Sequence, residues 1–163
     1  MDKTDREILE ILQNNSRLNP GQIAAMLGMD QADIEHRINE MEEMRVIVKY
    51  HTLVNWEKAG EEVVSALIEV KVAPQRGAGF DNLAERIYRF PEVKAVYLMS
   101  GAYDISVLIE GKTMKEVAFF VSTKLATIEN VQSTATHFVL KKYKQEGVIF
   151  EDKEDDRRLV ISP

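Results

Sequence analysis

The chain has 163 residues, 45% of them hydrophobic, and its 27 acidic residues outnumber 21 basic ones for a net charge of −6. That length holds one or two small domains with real cores. With no cysteine there is no disulfide framework, thiolate nucleophile or cysteine metal site, which fits a reducing cytoplasm, and the acid excess disfavours bulk attraction to nucleic acid or anionic membrane without excluding a local basic patch concentrated by a dimer.

The N-terminal stretch MDKTDREILEILQ lacks the basic-then-apolar plan of a signal peptide. No apolar run approaches the roughly 20 residues a membrane helix needs. Lys3–Asn14 reads as a helix with Ile8, Ile11 and Leu12 as its stripe and Thr4 or Asp5 as its cap. Asn15, Ser16 and Arg17 break it. Pro20 suits the first turn of a second helix, Gln22–Leu27, because its missing N–H is unpaired there anyway. Ile23, Ala24 and Leu27 face inward. Gly28 then precedes a third helix to Met44, with Ile34, Ile38 and Met41 at helical spacing. Asp30 is its N-cap, and Asp33 is placed to complete a capping-box-like pair. Helix, glycine turn and capped helix outline a helix-turn-helix. Its outward face carries Gln31, Ala32, Glu35, His36 and Asn39, with Arg37 flanking. From Asp30 to Met44 there are six acids and one base, Arg37, so phosphates should repel this helix.

Arg45–Val54 switches to β character, with Val46, Val48 and Val54 on one face and Ile47 and Leu53 on the other. A lone strand cannot satisfy its backbone, so this one should pair with a copy of itself or with another strand, which predicts a dimer. Asn55–Glu62 reads as a joint. Strand and helix then alternate: a strand at Val63–Ala73, a helix at Phe80–Phe90, strands at Val93–Met99 and Tyr103–Glu110, a helix at Thr113–Ile128 and a strand at Val131–Tyr143. The order β-α-β-β-α-β is that of a ferredoxin-like domain, an antiparallel sheet with both helices on one face. Its open face is expected to carry Leu67, Val96, Leu98, Leu108 and Val139, too apolar to stay wet, which again points to a dimer. Gln75–Gly79 lacks the endings of a phosphate loop and reads as a connection into the helix at Phe80. The tail from Glu151 to Pro163 begins with a charge run. It reads as a solvated extension or, through Leu159–Ile161, as an edge strand for a neighbour. The fold class is therefore α+β: a winged-helix-like three-helix helix-turn-helix domain at 1–45, a strand linker at 46–62, a ferredoxin-like domain at 63–147 and a charged tail at 148–163.

The segment from Met99 to Asp104 joins two strands. It reads as a hairpin turn in which Gly101 supplies a positive φ. The same geometry suits a ligand: backbone N–H groups at Ser100, Gly101 and Ala102 can receive a carboxylate, and Asp104 an ammonium. Tyr103 lies between them, and Ser133, Thr134 and Thr136 on the last strand offer hydroxyls, or simply good strand propensity. The three histidines, His36, His51 and His137, have no metal-ligand spacing, and no serine or threonine sits in a nucleophile elbow. No cofactor is expected.

From DKTDREILEILQNNSR through IAAMLGM, INEMEEMRVIVKYHTLVN and FPEVKAVYLMSGAYDISVLIEG to VQSTATHFVLKKYK, the chain resembles the Lrp/AsnC family of feast/famine transcription regulators. The resemblance implies an N-terminal helix-turn-helix, a strand linker and a C-terminal effector-binding domain. It also implies DNA and an amino acid or similar small molecule as partners, homodimers, octamers built from four dimers, and a cytoplasmic regulator rather than an enzyme. It places the turn containing Gly101 and Asp104 at the effector pocket. DNA contacts would rest on Arg17, Asn19, Gln31, His36, Arg37 and Lys49, with Gln31 suited to an adenine edge and Arg37 to a guanine or a phosphate. Two departures stand out. The reading helix is acidic where the family is Arg-rich, and Arg45 stands where a glycine is usual. The alternative is an effector-sensing oligomer that has lost DNA binding and acts through partner subunits. Siroheme decarboxylases share the two-domain plan, but their His-rich segment corresponds here to VKAVYLMSGAYD, which has no histidine.

Overall fold

A computed structural model describes residues 1–73 and 79–150. The chain divides into two compact units, Met1–Val54 and Asn55–Pro163. The expectations for residues 75–78 and for the tail lie outside the described residues.

The first unit is three helices: α1 (Lys3–Asn14), α2 (Pro20–Leu27) and α3 (Gln31–Glu43). Ile8, Leu12, Ile23, Ala24, Ile34, Ile38 and Met41 form its buried cluster, at the spacings the sequence marks. Full burial of each aliphatic chain is worth about 1.5–3 kcal/mol. The caps differ from expectation in detail. Asp2, not Thr4 or Asp5, caps α1, and it forms a reciprocal capping box with Asp5. Asn19 and Gln22 form a second box on α2. Asp30 caps α3 through the Ala32 N–H at 2.8 Å, and Asp33 closes no box there. Gly28 takes φ 66°, and its N–H and that of Met29 both reach the Ala24 carbonyl. This is the left-handed helix ending that glycine makes without steric cost. α3 ends in a Schellman arrangement. The Arg45 N–H bonds the Glu42 carbonyl at 2.9 Å and the Val46 N–H bonds that of Met41 at 2.8 Å. Arg45 itself carries φ 56°, a left-handed conformation that costs a residue with a β-carbon about 1–2 kcal/mol.

The strand expected at Arg45–Val54 is not formed. Residues 46–62 carry no ladder, and Val48 is 70% exposed while Ile47 packs on the helical cluster. The alternation is present, but a strand needs a neighbour to pair with. Tyr50 instead anchors the segment to α3, its hydroxyl donating to Glu42 at 2.8 Å.

The second unit is a four-stranded antiparallel sheet in the order β2-β3-β1-β4, from β1 (Val64–Val72), β2 (Val93–Leu98), β3 (Ile105–Gly111) and β4 (Val131–Phe138). Helices α4 (Asp81–Tyr88) and α5 (Met114–Phe120) pack on one face. There Ala66, Ile68, Val70, Val72, Ile105, Val107 and Ile109 meet Leu83, Ile87, Val117, Phe120 and Leu125. The helix expected to run from Thr113 to Ile128 widens into a π turn at Val121–Leu125, where the Ala126 N–H reaches back to the Val121 carbonyl. Ser122 and Thr123 hydroxyls both donate to the Phe119 carbonyl, the kind of competition with helical bonding that distorts a helix. Lys124 lies 5.5 and 5.7 Å from the ring centres of Phe90 and Phe120 and pairs with Glu92. That pairing holds the Glu92 carboxyl below its ordinary range.

The open face differs from expectation. A register shift between Val93 and Ala95 places Val96 opposite Val107 and Leu98 opposite Ile105. Both therefore belong to the helix side, because a bulge reverses the alternation. Leu67 and Leu108 do share the open face, but beside Glu69, His137, Glu110 and Lys71. Glu69 and His137 approach to 3.2 Å, and Lys142 reaches Glu110 at 3.4 Å. The strand expected to continue to Tyr143 stops at Phe138. A short hairpin of β5 (Lys144–Gln145) and β6 (Val148–Ile149) follows, turned by Glu146 and Gly147 at φ 50° and 82°. A boundary drawn between 147 and 148 falls inside this hairpin.

Candidate functional site

The helix-turn-helix exposes Gln31, Ala32, Glu35, His36 and Asn39 along one side of α3. The buried stripe of Ile34, Ile38 and Met41 faces α1 and α2. The Gln31 side chain folds over Gly21, close enough that a β-carbon there would meet its Oε1 at 2.9 Å. His36 lies 3.4 Å from Glu40, one turn along. Arg17 is exposed in the loop before α2, its N–H held by Asn15 Oδ1 at 3.1 Å. Asn19 is committed as the α2 cap, accepting the Gln22 N–H at 2.9 Å. Lys49 is exposed on the segment after α3.

Arg37 departs from the expectation of a DNA contact. Its Nη1 donates to Asp2 Oδ2 at 2.8 Å and to Asp5 Oδ1 at 2.6 Å. It is drawn toward the N-terminus of α1 because its position, three residues after Ile34 and one before Ile38, borders the buried stripe. Asp2 and Asp5 are each held below the usual carboxylate range, first by the other's backbone N–H and then by Arg37. The guanidinium is correspondingly raised. The outward face of α3 is thus more acidic than the sequence count suggests, since its one base is already paired.

In the second unit, the 99–104 turn folds over the end of β1. The Met99 N–H bonds the Asp104 carbonyl at 2.8 Å, and the Asp104 N–H bonds that of Val70 at 3.0 Å. The Asp104 carboxylate accepts the Val72 N–H at 2.9 Å and faces Lys71 Nζ at 3.4 Å. These contacts, the Val72 N–H first, hold its pKa low. The register of β1 slips between Lys71 and Val72, and Asp104 takes up the N–H near this irregularity. Gly101 has φ 159°, the positive φ expected of it, in a conformation that residues with a β-carbon rarely adopt. Ser100, Gly101 and Ala102 are exposed, and Tyr103 is half-buried.

The register divides the three hydroxyl residues. Ser133 stands opposite Lys71, on the side of the sheet away from the helices, while Thr134 and Thr136 stand opposite the buried Val70 and Ile68. Asp104, Lys71 and Ser133 therefore come to one end of the open face, and the two threonines point toward the helices. The sequence reading missed Lys71. Its signal was the alternation of β1, in which Ser65, Leu67, Glu69 and Lys71 share a side. A cavity of about 430 Å³ lies between Val72, Phe80, Leu83, Arg86 and Glu129. None of the eight expected effector residues lines it. Among the described residues no cluster of three metal-ligating side chains occurs, and no helix is long and apolar enough to cross a membrane.

Residues 65–149 match the family model described as the Lrp/AsnC ligand binding domain, and residues 1–48 match that of a winged helix-turn-helix DNA-binding domain. The chain is 52% identical to an uncharacterized HTH-type transcriptional regulator, YugG of Bacillus subtilis, over 98% of this chain and 96% of that one. Escherichia coli AsnC superposes with a TM-score of 0.69 at 25% identity, over 89% of this chain and 95% of that one. The transcriptional regulator NMB0573 of Neisseria meningitidis, solved as a complex with L-Met, superposes with a TM-score of 0.73 at 26% identity, over 89% and 93%.

Proposed function

The chain belongs to the Lrp/AsnC family of transcription regulators, and on that premise we propose how its DNA face, effector turn and assembly divide the work. It is a DNA-binding regulator with a ligand-binding domain, and it is not an enzyme. One observation carries the reading: a capped helix-turn-helix and an Lrp/AsnC ligand-binding domain occur in a single chain.

DNA is held by the flanks of the acidic helix. Arg17 and Asn19 meet phosphate at the start of α2, Lys49 meets it beyond α3, and Gln31 and His36 lie nearest the bases. The effector is an amino acid or a similar small molecule, as the L-Met complex of the Neisseria relative suggests. Its carboxylate is received by the backbone of Ser100, Gly101 and Ala102 beside Tyr103. Its ammonium is received by Asp104 in place of Lys71, with Ser133 on the same side and Thr134 and Thr136 behind. In a single chain this turn is an open surface, which supports completion of the site by another copy. The exposed alternation of Val46, Val48 and Tyr50 supports pairing of two linkers into a homodimer, and octamers of four dimers are the larger assembly. The effector acts by population shift: it binds one arrangement of dimers better and so changes half-site spacing on DNA. The cell compartment is the cytoplasm, where DNA and free amino acids meet.

The test is retention of the purified protein on DNA from upstream of its own gene, over a salt series, with and without a pool of amino acids. Sequence-dependent binding with a steep salt slope, altered by the pool, is expected. A well-folded oligomer that shows only non-specific binding at low salt overturns direct regulation in favour of the partner-dependent sensor.

A further inference from the structure

Arg37 is the one basic residue on the α3 segment, and a basic residue on a reading helix is ordinarily assigned to phosphate or guanine. Its surroundings assign it elsewhere. On α1, Asp5 precedes the buried Ile8 and Leu12 by three and seven residues, so it lies at the N-terminal end of that helix's inward stripe. On α3, Arg37 lies beside the stripe of Ile34, Ile38 and Met41. The two polar groups meet at the margin of the core, where Asp5 is 13% exposed and Arg37 29%.

The capping box holds one oxygen of each carboxylate. Asp2 Oδ1 accepts the Asp5 N–H at 3.0 Å and Asp5 Oδ2 accepts the Asp2 N–H at 2.7 Å. The remaining oxygen of each, Asp2 Oδ2 and Asp5 Oδ1, then converges on Arg37 Nη1. That nitrogen has two hydrogens, and both are used. Two carboxylates face one guanidinium and the N-terminal ammonium, which lies 3.8 Å from Asp5 Oδ2, so the charges of the cluster balance within it and the Arg37 charge is already matched by carboxylates.

We propose that Arg37 is a positioning residue: with the Asp2–Asp5 capping box it forms a clamp that fixes α3 against the start of α1, and so sets the direction in which the acidic reading helix is presented to DNA. The clamp deepens the DNA-binding reading, because it gives the one base on this helix a role other than contacting phosphate. It also predicts that a negative charge can be needed for DNA binding. Removal of Asp5 deletes an acid, which on electrostatics alone would tighten binding, yet it also opens the clamp.

The experiment compares full-length wild type, Arg37→Gln, Asp5→Asn and the double variant. One arm measures affinity for the upstream duplex and for an unrelated duplex over a salt series. A clamp makes both single variants bind the upstream duplex about threefold to tenfold more weakly, with the double variant close to either single one. The salt slope and the affinity for unrelated duplex stay unchanged. A phosphate contact predicts the opposite pattern: Arg37→Gln lowers the salt slope by about 0.9 and Asp5→Asn tightens binding, and either result overturns the clamp. The second arm is amide hydrogen exchange of the free protein. Faster exchange across Ile34–Met41 in both single variants supports the clamp, and unchanged exchange overturns it even if no duplex is bound specifically. Failure of the wild type to prefer the upstream duplex counts against the operator reading alone, since the exchange arm needs no DNA.

Discussion

The side-chain hydrogen bonds that shape the helical unit are short in sequence, and those that shape the sheet unit are long. The caps at Asp2, Asn19 and Asp30 each reach two or three residues along the chain. In the sheet unit, Asp104 reaches Val72 and Lys124 reaches Glu92 across 32 residues, and His137 reaches Glu69 across 68. Helices close their own backbone bonds and need help only at their ends, whereas a strand has no partner until another strand arrives. Arg37 is the exception in the helical unit, reaching 32 and 35 residues to Asp5 and Asp2. It joins two helices that are otherwise capped independently. The units teach that a charge marked by the sequence as facing a ligand also finds a partner within the chain wherever packing brings one to it: Arg37 meets Asp2 and Asp5 in one unit, and Asp104 meets Lys71 and the Val72 N–H in the other.

Core truncation should give the largest effects. Ile34 and Ile68 are both fully buried, and replacing either with alanine should cost about 2–5 kcal/mol. Ile34→Ala should abolish DNA retention while amide exchange in β1 and β3 stays slow. Ile68→Ala should loosen exchange on β1 and on the two strands paired with it, β3 and β4. If Ile34→Ala loosened the sheet equally, the two units would not be separate in stability.

A smaller pair of effects contrasts two helix endings. Gly28 and Arg45 hold similar left-handed angles, φ 66° and 56°. Gly28→Ala should lose about 1–2 kcal/mol, although a β-carbon there meets nothing within 4 Å, so the loss would be backbone strain rather than collision. Arg45→Gly should gain about 0.5–1 kcal/mol, the strain relieved less the entropy of a glycine. Urea unfolding followed by helical circular dichroism reads both. A destabilised Arg45→Gly would mean that the Arg45 side chain contributes more than its backbone costs.

Acid should weaken both units through the same mechanism. The Asp2, Asp5 and Asp104 carboxyls are all held below the ordinary aspartate range in the folded protein. Between the folded and unfolded values the unfolded chain binds more protons, so stability rises with pH across that window. Their contribution is complete above about pH 5 and is lost as pH falls below 3.8 through the folded values. Amide exchange at stepped pH should show Asp5→Asn flattening this dependence in α1 and α3 only, and Asp104→Asn in β1 and the 99–104 turn only. A dependence that flattened everywhere in either variant would break the separation.

The smallest effect concerns the linker. Burial, then the Glu42 carboxylate, pushes the Tyr50 phenol up to about 12. Alkaline absorbance titration should show a late Tyr50 step, and Tyr50→Phe should remove it at a cost of about 0.5–1.5 kcal/mol.

Much of the fold was legible because its signals are local. Ile34, Ile38 and Met41 mark α3 by period, Pro20 and Gly28 bracket α2, and alternation with breaks locates β1 to β4 in the order of a ferredoxin-like sheet. Where several partners compete for one local role the reading slipped, as with Asp2 in place of Thr4 or Asp5 as the α1 cap. The candidate site was less legible. The sequence alone determined a helix-turn-helix and a βαββαβ domain, because periodicity, capping and turn chemistry act over a few residues, while the family came from the resemblance of whole stretches in order. Tertiary structure alone decided that Arg37 turns inward to Asp2 and Asp5, that a bulge near Lys94 moves Val96 and Leu98 to the helix side, and that Asp104 and Lys71 meet while Thr134 and Thr136 do not join them. Those outcomes depend on distances between groups tens of residues apart, and only packing and strand register fix such distances.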